Sequence, residues 1–487
     1  MHIVFVASEC VPFAKTGGLA DVAGALPPQI ARLGHKVTVY IPFYARLRAQ
    51  FPEPSYAVRS ITVPFRYYNR FASIVDGGLR SGVQYYFVDC PDLFDRPELY
   101  GPAGGDYPDN AERFAFFSRA VLEATKVLGV PDVFHVHDWQ TGLIPIYLET
   151  VYSLDPVLRR AATVMTIHNI AYQGAFPPGT TEDLLLPWSV FTMDKVEHFD
   201  RFNYLKGGMV FADMLTTVSR KYAEEIQTPE FGWGLEGVVQ GRADRLRGIL
   251  NGVDYDQWNP ATDRNLAANY SPQDLTGKQA CRRDLLAAVG LDQVAETTPV
   301  IGIVSRLASQ KGFDLVARIG EELIARDLAI VVLGAGEAAI ESFFRAWSVR
   351  YPARVAVRIR YDDALAHKIE AGSDIFLMPS RYEPCGLNQI YSLKYGSVPL
   401  VRATGGLDDT IDEWNPAQRT GTGFKFAGLD PAALLAALDR ALDTFPDKVA
   451  WQILMRNGME RDFGWQAAAA EYVKVYREAI EKAAISA

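Results

Sequence analysis

A chain of 487 residues is too long for one ordinary hydrophobic core and predicts at least two domains. Its 49% hydrophobic and 22% charged residues are those of a globular protein. A formal net charge of −9 excludes nucleic acid or an anionic membrane as the main partner, so any anion site must be a local concentration of basic groups. Four scattered cysteines (Cys10, Cys90, Cys281, Cys385) match neither a disulfide framework nor a zinc pattern and suit a reducing cytoplasm. No apolar run is long enough to span a bilayer, and a strand at the outset leaves no expected signal or transit peptide.

Residues 2–7 form a short apolar run that reads as a buried strand, and residues 20–33 read as a helix. Between them lies Lys15-Thr16-Gly17-Gly18-Leu19-Ala20-Asp21-Val22. A glycine pair lets backbone approach a ligand closely, and the amides at a helix start point at an anion. Lys15 adds a full positive charge. The stretch lacks both the Gly-x-Gly-x-x-Gly spacing of a dinucleotide fold and the Gly-Lys-Ser/Thr ending of a P-loop. By itself, a Gly-Gly pair between strand and helix is more often only a tight turn.

Residues 35–42 read as a second strand and complete a βαβ unit. Residues 132–137 and 163–168 are further short β-rich runs ending in polar residues, which suits an open parallel sheet with ligands at its carboxyl ends. Residues 211–218 read as a helix end running into a short strand. Asn251-Gly252 is a turn signal, and the polar, irregular stretch 255–277 reads as a linker and domain entry. A second α/β series follows, with strands expected at 300–305, 329–333, 355–359, 374–378 and 398–401 and helices at 314–327 and 431–444. Two such domains suggest a cleft between them, a common small-molecule site. The last helix starts after Trp465. Ala469, Tyr472, Val473, Tyr476 and Ile480 form its apolar stripe, with i,i+4 pairs expected at Lys474/Glu478 and Glu478/Lys482.

Ser305-Arg306-Leu307-Ala308-Ser309-Gln310-Lys311-Gly312 follows the first strand of the second series. Arg306 offers a bidentate fork and Lys311 a mobile charge, a pair suited to a diphosphate in a polar loop. Glu383-Pro384-Cys385-Gly386-Leu387 follows the strand at 374–378, where the carboxylate suits sugar or ribose hydroxyls. Thr404-Gly405-Gly406-Leu407 repeats the tetrapeptide Thr16-Gly17-Gly18-Leu19, also after a strand. Two such turns would supply backbone donors from both domains.

These stretches, with His137-Asp138-Trp139, residues 166–174 and residues 248–254, resemble the bacterial glycogen synthase and plant starch synthase family (glycosyltransferase family 5) from the first residue to Trp465. The resemblance implies a GT-B fold: two Rossmann-like α/β domains with parallel sheets facing an interdomain cleft. It divides the chain into 1–252 (acceptor side, starch synthase catalytic type), 253–462 (nucleotide-sugar donor binding) and 463–487, a C-terminal helix crossing back to the N-terminal domain. It implies transfer of glucose from ADP-glucose, with retention, to the non-reducing end of an α-1,4-glucan such as glycogen or a malto-oligosaccharide, releasing ADP.

Arg306, Lys311, Glu383 and His168 then fall at catalytic positions. Lys15, Thr16, Gly17, Gly18, Asp21, Cys385, Gly386, Leu387, Thr404, Gly405 and Gly406 fall at donor-binding positions. Asp138, Trp139, Asn169 and Tyr172 are candidate acceptor or sugar contacts. Tyr100, Tyr107 and Trp233 are further aromatics that a glucan groove would use. Tyr391 stands where related retaining GT-B enzymes carry a second Glu, an absence shared by the glycogen synthases. Neither a metal nor pyridoxal phosphate is expected; the expected partners are ADP-glucose and the glucan acceptor, with no nucleic acid or membrane. The alternatives are a GT-B transferase using UDP-glucose, a glucan phosphorylase, or a non-catalytic glucan-binding regulator. A regulator would be expected to have lost some of Lys15, Arg306, Lys311 and Glu383, all of which are present.

Overall fold

The computed structural model describes residues 1–102 and 105–486. The chain divides into two compact units, Met1–Gly252 with Trp465–Ala487, and Val253–Gly464.

The first unit is built on a nine-stranded sheet. Its strands are β1 (His2–Val6), β2 (Lys36–Pro42), β3 (Tyr56–Pro64), β4 (Asn69–Arg80), β5 (Val83–Asp89), β6 (Val133–His137) and β7 (Ala162–Ile167). A small separate sheet of β8 (Ala175–Phe176), β9 (Glu197–His198) and β10 (Arg201–Asn203) follows β7. The main sheet ends with β11 (Met214–Thr217) and β12 (Leu246–Gly248). The main order is β12-β11-β7-β6-β1-β2-β5-β4-β3. Strands β1, β6 and β7 are buried along nearly their whole length, which is why they read as continuous apolar runs. The parallel core runs from β12 to β5; β4 pairs antiparallel with both β5 and β3. That antiparallel extension is absent from the sequence reading because half of its residues face water and its apolar pattern is broken.

The sheet of the second unit comprises β13 (Val300–Val304), β14 (Ala329–Gly334), β15 (Val355–Ile359), β16 (Ile375–Met378), β17 (Val398–Arg402) and β18 (Phe424–Phe426). Its order is β15-β14-β13-β16-β17-β18, all parallel. Ile301, Ile303, Ile330, Val332, Ile375 and Leu377 pack into one buried cluster, and Val300, Ala329, Val331, Leu333 and Phe376 into another. Alternate side chains thus enter cores on opposite faces of the sheet, the period of two expected of a strand buried on both sides. The expected helix at 314–327 is two shorter ones, Phe313–Arg318 and Gly320–Ile324, interrupted at Ile319 with φ −114°.

The final helix, Trp465–Ser486, returns to the first unit and packs against β7 and the helix Gly18–Arg32. A Cβ at Gly252 would lie 2.6 Å from Trp465 Cα, so the chain leaves and re-enters that unit side by side. Ala469, Tyr472 and Tyr476 are fully buried, Val473 nearly so, and Ile480 half-buried. The charge pairs seen along the helix differ from those expected. Lys474 pairs with Glu471 at 2.6 Å, Glu478 reaches Arg247 at 2.7 Å, and Lys482 lies 3.8 Å from Asp244. Glu478 and Lys482 thus meet partners on the adjoining surface, while Lys474 takes a partner three residues back on its own helix.

Candidate active site

In an open α/β sheet, ligands bind where neighbouring strands send their chains in opposite directions. That point lies between β1 and β6 in the first unit and between β13 and β16 in the second. The charged motifs of the sequence gather at these two places.

Beyond β1, the buried carboxylate of Glu9 accepts hydrogen bonds from the Thr16 amide (2.5 Å), the Thr16 hydroxyl (2.8 Å), the Gly17 amide (3.1 Å) and the Tyr100 hydroxyl (2.8 Å). The expectation that the Gly17 amide faces an external anion is therefore corrected: an internal carboxylate already holds it. Gly18 opens the helix Gly18–Arg32, and the first amides of a helix have no partner within it. A Cβ at Gly17 or Gly18 would meet nothing within 4 Å, and neither has positive φ. Lys15 is half-exposed and pairs with Asp21 at 2.6 Å, so Asp21 holds the lysine.

Beyond β6 and β7, Asp138 sits in the left-handed backbone region with φ 55° and accepts the His168 amide at 2.7 Å. Burial raises its carboxyl to about 7, against the opposing pull of the His168 and Asn169 amides. Asp138 is only 8% exposed, so its carboxylate positions the His168 segment from within. His168 Nε2 lies 3.0 Å from His137 Nδ1, and burial lowers His168 to about 3, keeping it neutral. His135 and His137 are held well below the ordinary range, first by burial and then by their histidine neighbours. The Asn169 side chain accepts the Ala171 amide at 3.0 Å.

Trp139 is corrected as a glucan contact: its ring is buried edge-on against Phe114, and Gly174 is the residue that leaves room for it. Tyr100 spends its hydroxyl on Glu9 and Ser8. Tyr172 and Trp233 are about half-exposed. Tyr107 takes the guanidinium groups of Arg96 and Arg113 over its ring.

In the second unit, the loop after β13 carries Arg306 and Lys311. Arg306 is exposed and donates to the Gln310 side chain at 3.2 Å. Lys311 is not a free cation in a polar loop. Its ammonium lies 2.5 Å from Glu383, and the two side chains are 18% and 7% exposed. Ser380 donates to the same carboxylate oxygen at 3.0 Å. The pair bridges the chain-reversal point between β13 and β16. Gly312 has φ 74° and lies so close to Pro379 that a Cβ would sit 1.9 Å from its carbonyl oxygen.

The second Thr-Gly-Gly-Leu turn does a different job from the first. The Gly406 amide donates to Glu383 O at 3.0 Å, which corrects the expectation of a ligand-facing donor there. A Cβ at Gly405 would lie 1.9 Å from Glu383 O, and one at Gly406 1.9 Å from Cys385 O. Thr404 is fully buried at the start of the helix Gly405–Thr410. The turn clamps the Glu383–Leu387 loop. Gly386, with φ 69°, and Cys385 are held further by Gln389, whose Nε2 donates to the carbonyls of both at 3.0 Å. Leu387 leads into the helix Asn388–Lys394. Tyr391 stacks on Trp258 with ring centres 4.1 Å apart.

Sequence reasoning named His168 but missed Glu9, His135 and the contact of His137 with His168. The signal for Glu9 was a carboxylate three residues past the end of β1, facing a helix start in need of acceptors. The histidines alternate along β6 (His135, His137), which puts both on one face of that strand. Among the described residues, no group of three or more His, Cys, Asp or Glu side chains is placed to hold a metal ion, and no helix is long and apolar enough to cross a membrane.

The starch synthase catalytic domain family matches residues 2–241, and the glycosyl transferases group 1 family matches residues 292–451. The chain is 58% identical to a glycogen synthase of Koribacter versatilis, over 98% of each chain. It is 46% identical to a glycogen synthase of Syntrophotalea carbinolica, over 99% of each. Among solved structures, it is similar to the catalytic domain of starch synthase IV from Arabidopsis thaliana bound to ADP and acarbose, with TM-score 0.87, 31% identity and 99% coverage of both chains.

Proposed function

This chain belongs to the glycogen synthase family, with the two-unit α/β fold of the GT-B glycosyltransferases, and we propose that it elongates α-1,4-glucan by transferring glucose from ADP-glucose to a non-reducing end with retention. The acceptor is glycogen or a malto-oligosaccharide. The observation that carries this reading is the buried Lys311–Glu383 pair at the chain-reversal point of the second unit. A lysine there is poised to trade part of its carboxylate partner for a phosphate, and the carboxylate to take up a hydroxyl.

The difficulty of the reaction is departure of a charged ADP while positive charge builds on the sugar. Fixed cations at the leaving diphosphate address it, worth several kcal/mol each when preorganised and shielded from water. We assign that role to Arg306 and Lys311. Lys15 and the Gly18 amide are the phosphate-binding groups we assign within the first unit, and no metal or pyridoxal phosphate takes part. His168, being neutral, contacts the transferred sugar through hydrogen bonding and carries no charge to it. The binding of ADP by the Arabidopsis enzyme supports the choice of base.

The test is direct assay of ADP-glucose and UDP-glucose on a glycogen primer, with nucleotide release and product anomer followed. ADP-glucose is expected to give faster transfer and an α-linked product. Faster transfer from UDP-glucose would overturn the donor, and a β-linked product would overturn retention.

A further inference from the structure

His137 has no place in the reading above, yet its ring is the partner of His168. It is fully buried, its ring stacked on Phe5 (ring centres 5.7 Å) and tilted by 36° against His135 (4.3 Å). Its Nδ1 faces His168 Nε2 at 3.0 Å, and its Nε2 is buried without a hydrogen-bond partner among the described residues. His135 does not relieve that atom. Its Nδ1 meets the Tyr476 hydroxyl at 2.9 Å and its Nε2 the Thr166 hydroxyl at 2.6 Å, and Thr166 in turn meets Thr216 at 2.6 Å.

A nitrogen-to-nitrogen contact of 3.0 Å needs one proton between the two atoms. Burial keeps both rings neutral, so each carries a single proton. Two arrangements are then open. In one, His137 is protonated at Nδ1 and donates to His168 Nε2; its own bare Nε2 is the orphan, and the proton of His168 is on Nδ1. In the other, His168 donates from Nε2, and His137 must carry its proton on Nε2, a buried N–H with no acceptor. An orphaned N–H is the rarer and costlier of the two defects.

We propose that His137 is a positioning residue that fixes the tautomer of His168, so that His168 presents Nδ1–H, a donor, at its other nitrogen. The consequence for substrate rests on the reading of His168 as a contact of the transferred glucose: His168 then donates to a sugar oxygen and does not accept from a sugar hydroxyl. The frame that holds His137 is the rest of the buried group. Tyr476 on the final helix and the Thr166–Thr216 pair saturate His135, leaving it unable to take a hydrogen bond from its neighbour.

The experiment uses the full chain labelled with 15N-histidine. Long-range proton–nitrogen correlation separates the two tautomers of each ring, and the chain has seven histidines, assigned by single substitutions. In the wild type, His168 and His137 are expected to be protonated at Nδ1. A His168 protonated at Nε2, or a mixture of tautomers, overturns the proposal. In His137→Phe, which keeps the stacking and removes the donor, His168 is expected to populate both tautomers and turnover to fall about tenfold, the effect of one misdirected hydrogen bond. His137→Asn, whose side-chain amide can donate to His168 Nε2, is expected to restore the Nδ1–H tautomer and part of the turnover. An unchanged His168 spectrum in His137→Phe overturns the proposal, and if that variant does not fold, the wild-type spectrum and the Asn variant decide it. Absence of glucosyl transfer in a wild type with the expected tautomers refutes the proposed activity and leaves the tautomer assignment standing.

Discussion

Gly18→Ala separates a ligand-facing glycine from a packing one. A Cβ at Gly18 meets no protein atom within 4 Å, and the residue has no left-handed φ to preserve. It is also the first residue of a helix, where alanine is at least as good as glycine. The substitution is therefore expected to leave the fold intact or to stabilise it by ~0.5 kcal/mol, chiefly by narrowing the unfolded ensemble. In a chain of this size that raises Tm by about 1 °C. The methyl group enters the open space in front of the Gly18 amide. If a donor phosphate oxygen uses that space, one charge-assisted hydrogen bond, ~1.5–3 kcal/mol, is lost or bent. The KM for ADP-glucose then rises about 10- to 150-fold. Gly406→Ala is the control: its Cβ would fall 1.9 Å from Cys385 O, so it is expected to lower Tm by several degrees by forcing backbone apart. Steady-state kinetics with a thermal melt on each variant reads both effects. A Gly18→Ala enzyme with normal Tm and an unchanged donor KM refutes the reasoning.

Lys311→Ala strands the buried Glu383 carboxylate and is expected to cost ~3 kcal/mol as well as at least a hundredfold in turnover. The double variant Lys311→Ala/Glu383→Gln should recover the stability in denaturant titration but not the turnover; recovery of both would remove the pair from the chemistry. Lys15→Ala, at a half-exposed pair with Asp21, should raise the donor KM without moving Tm, and a normal KM would free Lys15 from the donor. The folded-state value of His168 is lowered from 6.5 to about 3, so the unfolded chain binds the extra proton between these values. Its contribution is present above pH 6.5 and lost as pH falls towards 3, at ~1.4 kcal/mol per pH unit. His168→Gln should therefore become progressively more stable relative to wild type from pH 6 to pH 4.5, and a parallel pair of stability curves would contradict the buried neutral imidazole. Treatment with a chelator should leave turnover unchanged; a loss restored by added divalent metal would overturn the assignment of charge stabilisation to Arg306 and Lys311.

What the sequence makes legible follows from how much physics is local. The central parallel strands are buried on both faces, so 300–304 and 329–333 stand out as apolar runs, and Pro431–Thr444 carries its own start signal in Asp430, which caps the Ala433 amide at 2.9 Å. The antiparallel pair β3 and β4 is half-exposed and carries no such contrast. Which atoms the motif residues touch is not local at all. Asp138 and His168 are 30 residues apart, and Lys311 and Glu383 are 72 apart. Spacing along the chain brings such residues to strand ends, but only the strand order decides which ends are neighbours.

The two Thr-Gly-Gly-Leu turns make the point most sharply. As tetrapeptides they are identical, each follows a strand and each opens a helix, so any argument from sequence must treat them alike. In three dimensions, the glycines of the first look onto open space, while those of the second lie against the carbonyls of Glu383 and Cys385. The difference comes from what stands in front of each turn. Glu9 reaches the Thr16 and Gly17 amides with a side chain, at arm's length, and leaves the surface of Gly18 clear. The Glu383 loop meets the Gly405–Gly406 turn backbone to backbone, and only glycine permits that approach. The first turn is thus free to meet a ligand directly, whereas the second acts through the loop it clamps, by holding Glu383 where Lys311 can reach it.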